Sequence, residues 1–181
     1  LYLYSLYLGT TFQHLTLVLR YNNKISSMNI QKGDKAPALE LVNTQLETVQ
    51  IPAQKKPTVL LFFPLAFTSV CTTELCNIRD SLKTYEDVNA EVYGISVDSP
   101  FTLKEFKDSQ KLNFPLLSDF NKVAARAYGA LYEEFVFGMQ GVAKRSAFVI
   151  DDEGVIKYAE VLEDAGDLPD FDAIQSTLEN L

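Results

Sequence analysis

Three observations predict an α/β chain with one mixed central sheet flanked by helices on both faces. Thr58-Val-Leu-Leu-Phe-Phe63 and Glu91-Val-Tyr-Gly-Ile-Ser-Val97 are continuous apolar runs, the pattern of strands buried on both faces. Between them Leu75, Ile78, Leu82 and Tyr85 recur at helical spacing. The whole order, β-β-β-α-β-α-β-α-β-β-α, mixes parallel crossovers with a terminal hairpin, and edge pairs are common in such sheets.

In chain order, residues 1–27 stand apart in composition. They are apolar and aromatic, hold Arg20 and Lys24 but no acid, and lack both a basic region ahead of the apolar run and a small-residue cleavage site. Gln13-His14 interrupts the run, which falls short of a clean membrane span. Residues 1–27 are expected to be a leader, non-native or disordered, with Met28 as the native start and 28–181 as one domain. A truncated membrane anchor is the alternative.

After Asn29, Ala38–Asn43 and Glu47–Ile51 alternate like a half-exposed hairpin. The buried strand 58–63 follows, then a cysteine-bearing loop and a helix to about Val88. Strand 91–97 closes on Asp98-Ser-Pro100, where Ser99 is a plausible N-cap and Pro100 the first residue of a helix through Lys111. Phe114–Leu117 reads as a short strand, and Ser118-Asp119 leads into a short helix, 122–127. Ser146–Ile150, the turn Asp151–Gly154 and Val155–Ala159 form a hairpin. An amphipathic helix, Phe171–Leu181, ends the chain.

Composition narrows the function. Of 16 basic and 24 acidic residues, 14 and 24 lie from Met28 on, a net −10, which makes nucleic acid a poor partner. His14 is the single histidine, so the domain can build no Cys-His dyad and no His-based metal site. The two cysteines, Cys71 and Cys76, are too few for structural zinc and suit a reducing, cytoplasmic compartment. Cys71 falls where a central strand ends and a helix begins. Unpaired N–H groups there favour an anion, here a thiolate, the nucleophilic form of cysteine. Plain readings exist: Cys71 as a small buried hydrophobe, Thr68 as a helix cap, Pro64 as a strand terminator.

Pro64-x-x-x-Thr68-x-x-Cys71 resembles the active-site signature of peroxiredoxins, thiol peroxidases on a thioredoxin-like fold. The likeness continues through Phe114-Pro-Leu-Leu-Ser-Asp119, Ala127-Tyr-Gly129 and Arg145-Ser-Ala-Phe-Val-Ile-Asp151 with Gly154, from about Lys32 onward. In detail it is similar to the alkyl hydroperoxide reductase E branch, with a second cysteine placed as in the bacterioferritin-comigratory branch.

The resemblance implies a role for each residue. Cys71 would be the peroxidatic nucleophile, passing to a sulfenic acid. Thr68 would hydrogen-bond the thiolate and the peroxide, and Pro64 would shield the pocket. An arginine beside the thiolate is also implied. Arg79 lies eight residues further along the helix, about 12 Å up its axis, and Arg126 reads as a solvated face residue. Arg145 precedes a buried strand and matches the family position. Glu74 would orient Arg145, or it is an ordinary acid in a first helical turn. Cys76 would resolve the sulfenic acid as a disulfide. Positions five apart in a helix have Cα atoms about 8–9 Å apart, beyond the roughly 7 Å a disulfide tolerates, so the first turn would have to unwind. Otherwise Cys76 is core packing and an external thiol does the resolving.

The implied activity reduces hydrogen peroxide and organic hydroperoxides with electrons from a thioredoxin-like or low-molecular-weight thiol. It uses no metal, haem or flavin and no membrane, and the resemblance implies a homodimer. A thiol-disulfide oxidoreductase, or a non-catalytic interaction module on the same fold, is the alternative, although the chain has C-x-x-x-x-C rather than C-x-x-C. The apolar segment 133–141 is open between an acyl-hydroperoxide pocket, a subunit contact and a buried loop.

Overall fold

The computed structural model describes residues 30–181. The expectations about the leader, the Met28 start and His14 lie outside the described residues. The strands are β1 (Leu39–Asn43), β2 (Thr48–Ile51), β3 (Thr58–Phe62), β4 (Glu91–Ser96), β5 (Leu116–Ser118), β6 (Leu131–Glu134), β7 (Gln140–Ala143), β8 (Ser146–Ile150) and β9 (Ile156–Val161). The helices are α1 (Ser69–Asp87), α2 (Pro100–Gln110), α3 (Val123–Ala127) and α4 (Phe171–Glu179). Seven strands form the central sheet in the order β2-β1-β5-β4-β3-β8-β9. Pairing is parallel for β3–β4 and β4–β5 and antiparallel for the rest, so the mixed sheet is as expected.

Each β3 residue is fully buried because the two faces of the strand serve two cores. Val59 and Leu61, with Val149 of β8, pack against Leu75 and Ile78 of α1, Leu103 and Phe106 of α2 and Ile174 of α4. Leu60, Phe62, Phe148 and Ile150 face the other way, toward Ala124 and Ala125 of α3 and Tyr128. There Phe62 and Phe148 meet edge to face at 5.9 Å, and Tyr128 lies 5.0 Å from Phe148. Burial pushes the Tyr128 phenol up, and its OH donates to Pro37 O at 3.0 Å. Gly94 lets β4 pack close to β5, since a Cβ there would lie 2.6 Å from Leu116 Cδ2.

Three boundaries differ from the sequence reading. The long helix starts at Ser69, so Cys71 is its third residue rather than part of a loop. β5 begins at Leu116, past Pro115, which has no N–H for the ladder. Segment 131–143 folds as an antiparallel hairpin, β6–β7, forming a second two-stranded sheet. The buried-loop reading of 133–141 is therefore overturned: Val136 is 53% and Phe137 98% exposed at the tip. No described helix is long and apolar enough to cross a membrane.

Candidate active site

The carboxyl end of β3 delivers Pro64, buried, into a loop that ends at Thr68, and α1 then places Cys71 in its first turn. Thr68 has extended backbone (φ −82°, ψ 152°) at the N-cap position, yet its side chain does not cap the helix. Its hydroxyl donates back to Leu65 O at 3.0 Å, so its one proton is not given to Cys71 as expected, and the side-chain donor on the sulfur is Arg145. Thr68 therefore holds the cap position without capping, which leaves the N–H groups at the start of α1 without a capping side chain beside Cys71, a residue only 1% exposed. The hydroxyl keeps its lone pairs for an incoming O–H.

Arg145 arrives from the other side, in the two-residue link Lys144-Arg145 between β7 and β8. Its antiparallel partner β3 brings Phe62 opposite Ser146, which sets Arg145 level with the β3–α1 junction. The guanidinium has three partners. Nη2 donates to Cys71 Sγ at 3.4 Å and to Ala165 O at 2.9 Å, and Nη1 donates to Glu74 Oε2. Cys71 and Glu74 are three apart in α1 and share a face, so one guanidinium clasps both. The 162–168 loop that carries Ala165 is itself held. Leu162 N donates to Arg145 O at 2.9 Å, and Lys144 Nζ pairs with Glu163 at 2.7 Å.

Arg145 is 1% and Glu74 0% exposed. Burial pushes the Glu74 carboxyl up to about 7, against the downward pull of Arg145. For Arg145, burial opposes the charge but is outweighed by Glu74 and Cys71, so its own shift is upward. Of this buried pair, Arg145 is thus the fixed charge and Glu74 the group whose ionisation burial disfavours. Because α1 starts at Ser69, Glu74 lies in the second turn, where the helix end has little hold on it. The ordinary first-turn acid is therefore not what the structure contains.

A carboxyl raised from 4.5 to about 7 stabilises the fold fully below about 4.5, and that contribution is lost as pH rises through about 7. The unfolding free energy of the wild type is expected to fall over that window and that of Glu74→Gln to fall less, since Asp119, also raised by burial, contributes equally to both. Urea denaturation across the window checks it, and equal slopes would mean that Glu74 is ionised throughout.

Cys76 is half-buried on another part of α1, with Sγ 4.0 Å from Gln110 Oε1 of α2. Both cysteines are free. Arg79 donates to Asp80 and to Gln110 O, and Arg126 is exposed, so neither faces Cys71. A cleft of about 770 Å³ bordered by Lys35, Gln50 and Glu153 lies by the amino end of β3, away from this chemistry.

Residues 32–159 match the family model described as the AhpC/TSA family. The chain belongs to this family. It is 38% identical over 133 residues to alkyl hydroperoxide reductase E of Mycobacterium tuberculosis, covering 71% of this chain and 84% of that one. It is 34% identical over 146 residues to a chloroplastic 2-cysteine peroxiredoxin of Chattonella marina var. antiqua, covering 74% and 72%. Among solved structures, peroxidoxin BcpB from Mycobacterium tuberculosis superposes with a TM-score of 0.74 at 28% identity, over 84% of this chain and 98% of that one. A peroxiredoxin-like protein from Aquifex aeolicus gives 0.78 at 26%, over 86% and 90%. These neighbours establish the thioredoxin-like fold of a peroxiredoxin.

Two features of this peroxiredoxin's site escaped the sequence reading. Ala165 contributes a backbone carbonyl, which no residue type announces. Asp98 looked only like a strand end, yet it reaches the active-site loop across 32 positions.

Proposed function

We propose that Cys71 is the peroxidatic nucleophile of this thiol-dependent peroxidase. The observation that carries the reading is the guanidinium of Arg145, donating to Cys71 Sγ at 3.4 Å while Glu74 and Ala165 O hold it in place. The substrates are hydrogen peroxide and organic hydroperoxides. The sulfur bonds to the terminal peroxide oxygen as the O–O bond breaks. The proton of that oxygen passes to the departing alkoxide, and the resulting sulfenate takes up a proton to become sulfenic acid. Cysteine is oxidised by two electrons and the peroxide is reduced to an alcohol or water. Arg145 stabilises the charge that moves from sulfur to the leaving oxygen. Thr68 accepts the peroxide O–H, and Pro64 closes the pocket against water.

Cys76 then attacks the sulfenic acid, releasing water and forming a disulfide that a thioredoxin-like or low-molecular-weight thiol reduces. The two cysteines are five apart in α1, so its first turns unwind for this step. Residues 28–181 form the catalytic domain. A homodimer is the assembly the family resemblance favours, and exposed Phe101, Phe120 and Val123 are consistent with it. Two free cysteines suit the reducing cytoplasm.

One equivalent of hydroperoxide, followed by mass spectrometry with and without a sulfenic-acid trap, tests the reading. Rapid peroxide loss with a Cys71–Cys76 disulfide is the expected result. A lasting, trappable sulfenic acid at Cys71 with Cys76 free replaces Cys76 by an external resolving thiol. Intact peroxide together with reduction of insulin disulfides would instead make the chain a thiol-disulfide oxidoreductase.

A further inference from the structure

We infer that Asp98 is a positioning residue for peroxide reduction, its carboxylate setting the loop that presents Pro64 and Thr68 to the substrate. Asp98 Oδ2 accepts from Ala66 N–H at 2.8 Å and lies 2.8 Å from Ser96 Oγ. The Asp98 N–H donates to Ser96 Oγ at 3.2 Å, and that hydroxyl sits 3.3 Å from Pro64 O. Asp98 is itself anchored to the carboxyl ends of two central strands. Its carbonyl accepts from Ser118 Oγ at 2.6 Å, and Asp119 N donates to Ser96 O at 2.8 Å.

The carboxylate has no other evident task. Ser99, not Asp98, caps α2, accepting from Thr102 N at 3.2 Å. No cation pairs with Asp98 among the described residues. The loop it grips needs an outside hold. Phe67 sits at φ +64°, in the left-handed region that L-residues disfavour, and its ring rests on Phe106 at 5.1 Å. The Thr68 hydroxyl is aimed by its donation to Leu65 O, next to the tethered Ala66. A slackened Ala66 therefore displaces the peroxide-binding hydroxyl and leaves the Arg145–Cys71 contact, built from the residue just before β8 and from α1, where it is. Asp98 governs where the peroxide sits; Arg145 governs the sulfur.

That division, which rests on the peroxidase reading, sets the experiment. In the Cys76→Ser background Cys71 is the one thiol, and two second-order rates are measured at the same pH: with hydrogen peroxide by stopped flow, and with iodoacetamide, which needs the thiolate but no peroxide cradle. Asp98→Ala is expected to lower the peroxide rate about 10- to 100-fold, as misplacements near 1 Å do, and to leave alkylation within about threefold. Asp98→Asn, whose amide oxygen still accepts from Ala66, is expected to recover most of the loss. A peroxide rate in Asp98→Ala within about twofold of its parent, or a parallel fall in both rates, overturns the inference with the peroxidase reading intact. A parent that alkylates readily but leaves peroxide intact overturns that reading and the inference with it.

Discussion

Peroxide consumption is expected to fall to the uncatalysed background when Cys71 becomes serine, a loss of at least about 10⁴-fold, while the fold survives. The loss follows from one atom. A serine hydroxyl stays protonated near neutrality and has no general base to activate it here. The domain from Met28 on has no histidine, and Glu74 is turned toward Arg145. Oxygen in place of sulfur also has no accessible sulfenic state, so the two-electron chemistry has no acceptor for the peroxide oxygen. Serine is close to cysteine in size and can accept from Arg145 Nη2, so the α1 start should keep its shape. A Tm within a few degrees of the wild type is the companion result. Residual peroxidase activity in the variant would move the nucleophile to Cys76, the one other thiol in the chain.

The parts of this architecture legible in the sequence are those where one physical demand dominates a stretch. β3, β4 and β8 are buried on both faces, so Val, Leu, Ile and Phe fill them without alternation. In α1 one face alone enters the core, and Leu75, Ile78, Leu82 and Tyr85, spaced by helical turns, are all buried. Ser99 and Pro100 mark the start of α2 because capping is local chemistry. The β6–β7 hairpin obeys none of these rules. Its tip exposes Val136 and Phe137, and β7 begins Gln140-Gly141, so neither apolar alternation nor strand propensity announces it.

The site divides in the same way. Cys71, Thr68 and Pro64 sit within eight residues, and their spacing is visible. Arg145 lies 74 residues from Cys71, and the family likeness, rather than any local signal, brought it in. The grip of Asp98 on Ala66 and of Ala165 O on Arg145 passes through the fold alone, one by a contact between distant segments and the other by a backbone atom. The helix start at Ser69 agrees with the plain reading of Thr68 as the residue at the cap position, but the turn of its hydroxyl to Leu65 O belongs to the fold alone.

Arg145→Met should damage both stability and catalysis, and the two losses should separate. The peroxide rate is expected to drop about 10²- to 10³-fold, the effect of removing a preorganised donor from a developing oxyanion. Stability at pH 8 should fall by up to about 3–5 kcal/mol, because Glu74 loses its partner and must either stay buried as an unpaired charge or take up a proton that the unfolded chain does not hold at that pH. Its sign with pH is set by that carboxyl. With the guanidinium in place, burial already holds Glu74 at about 7, and without it the neutral form is favoured further. At pH 5 Glu74 therefore carries a proton in the variant, the buried charge is gone, and the stability cost should shrink. Adding Glu74→Gln to Arg145→Met should restore stability at pH 8, since two neutral groups replace an orphaned charge, but it cannot restore the rate, since nothing then faces the leaving oxygen. Urea denaturation at pH 5 and pH 8, beside stopped-flow peroxide reduction, measures both. A double variant that regains the rate would mean that the pair serves folding alone and that the charge beside Cys71 comes from the uncapped start of α1.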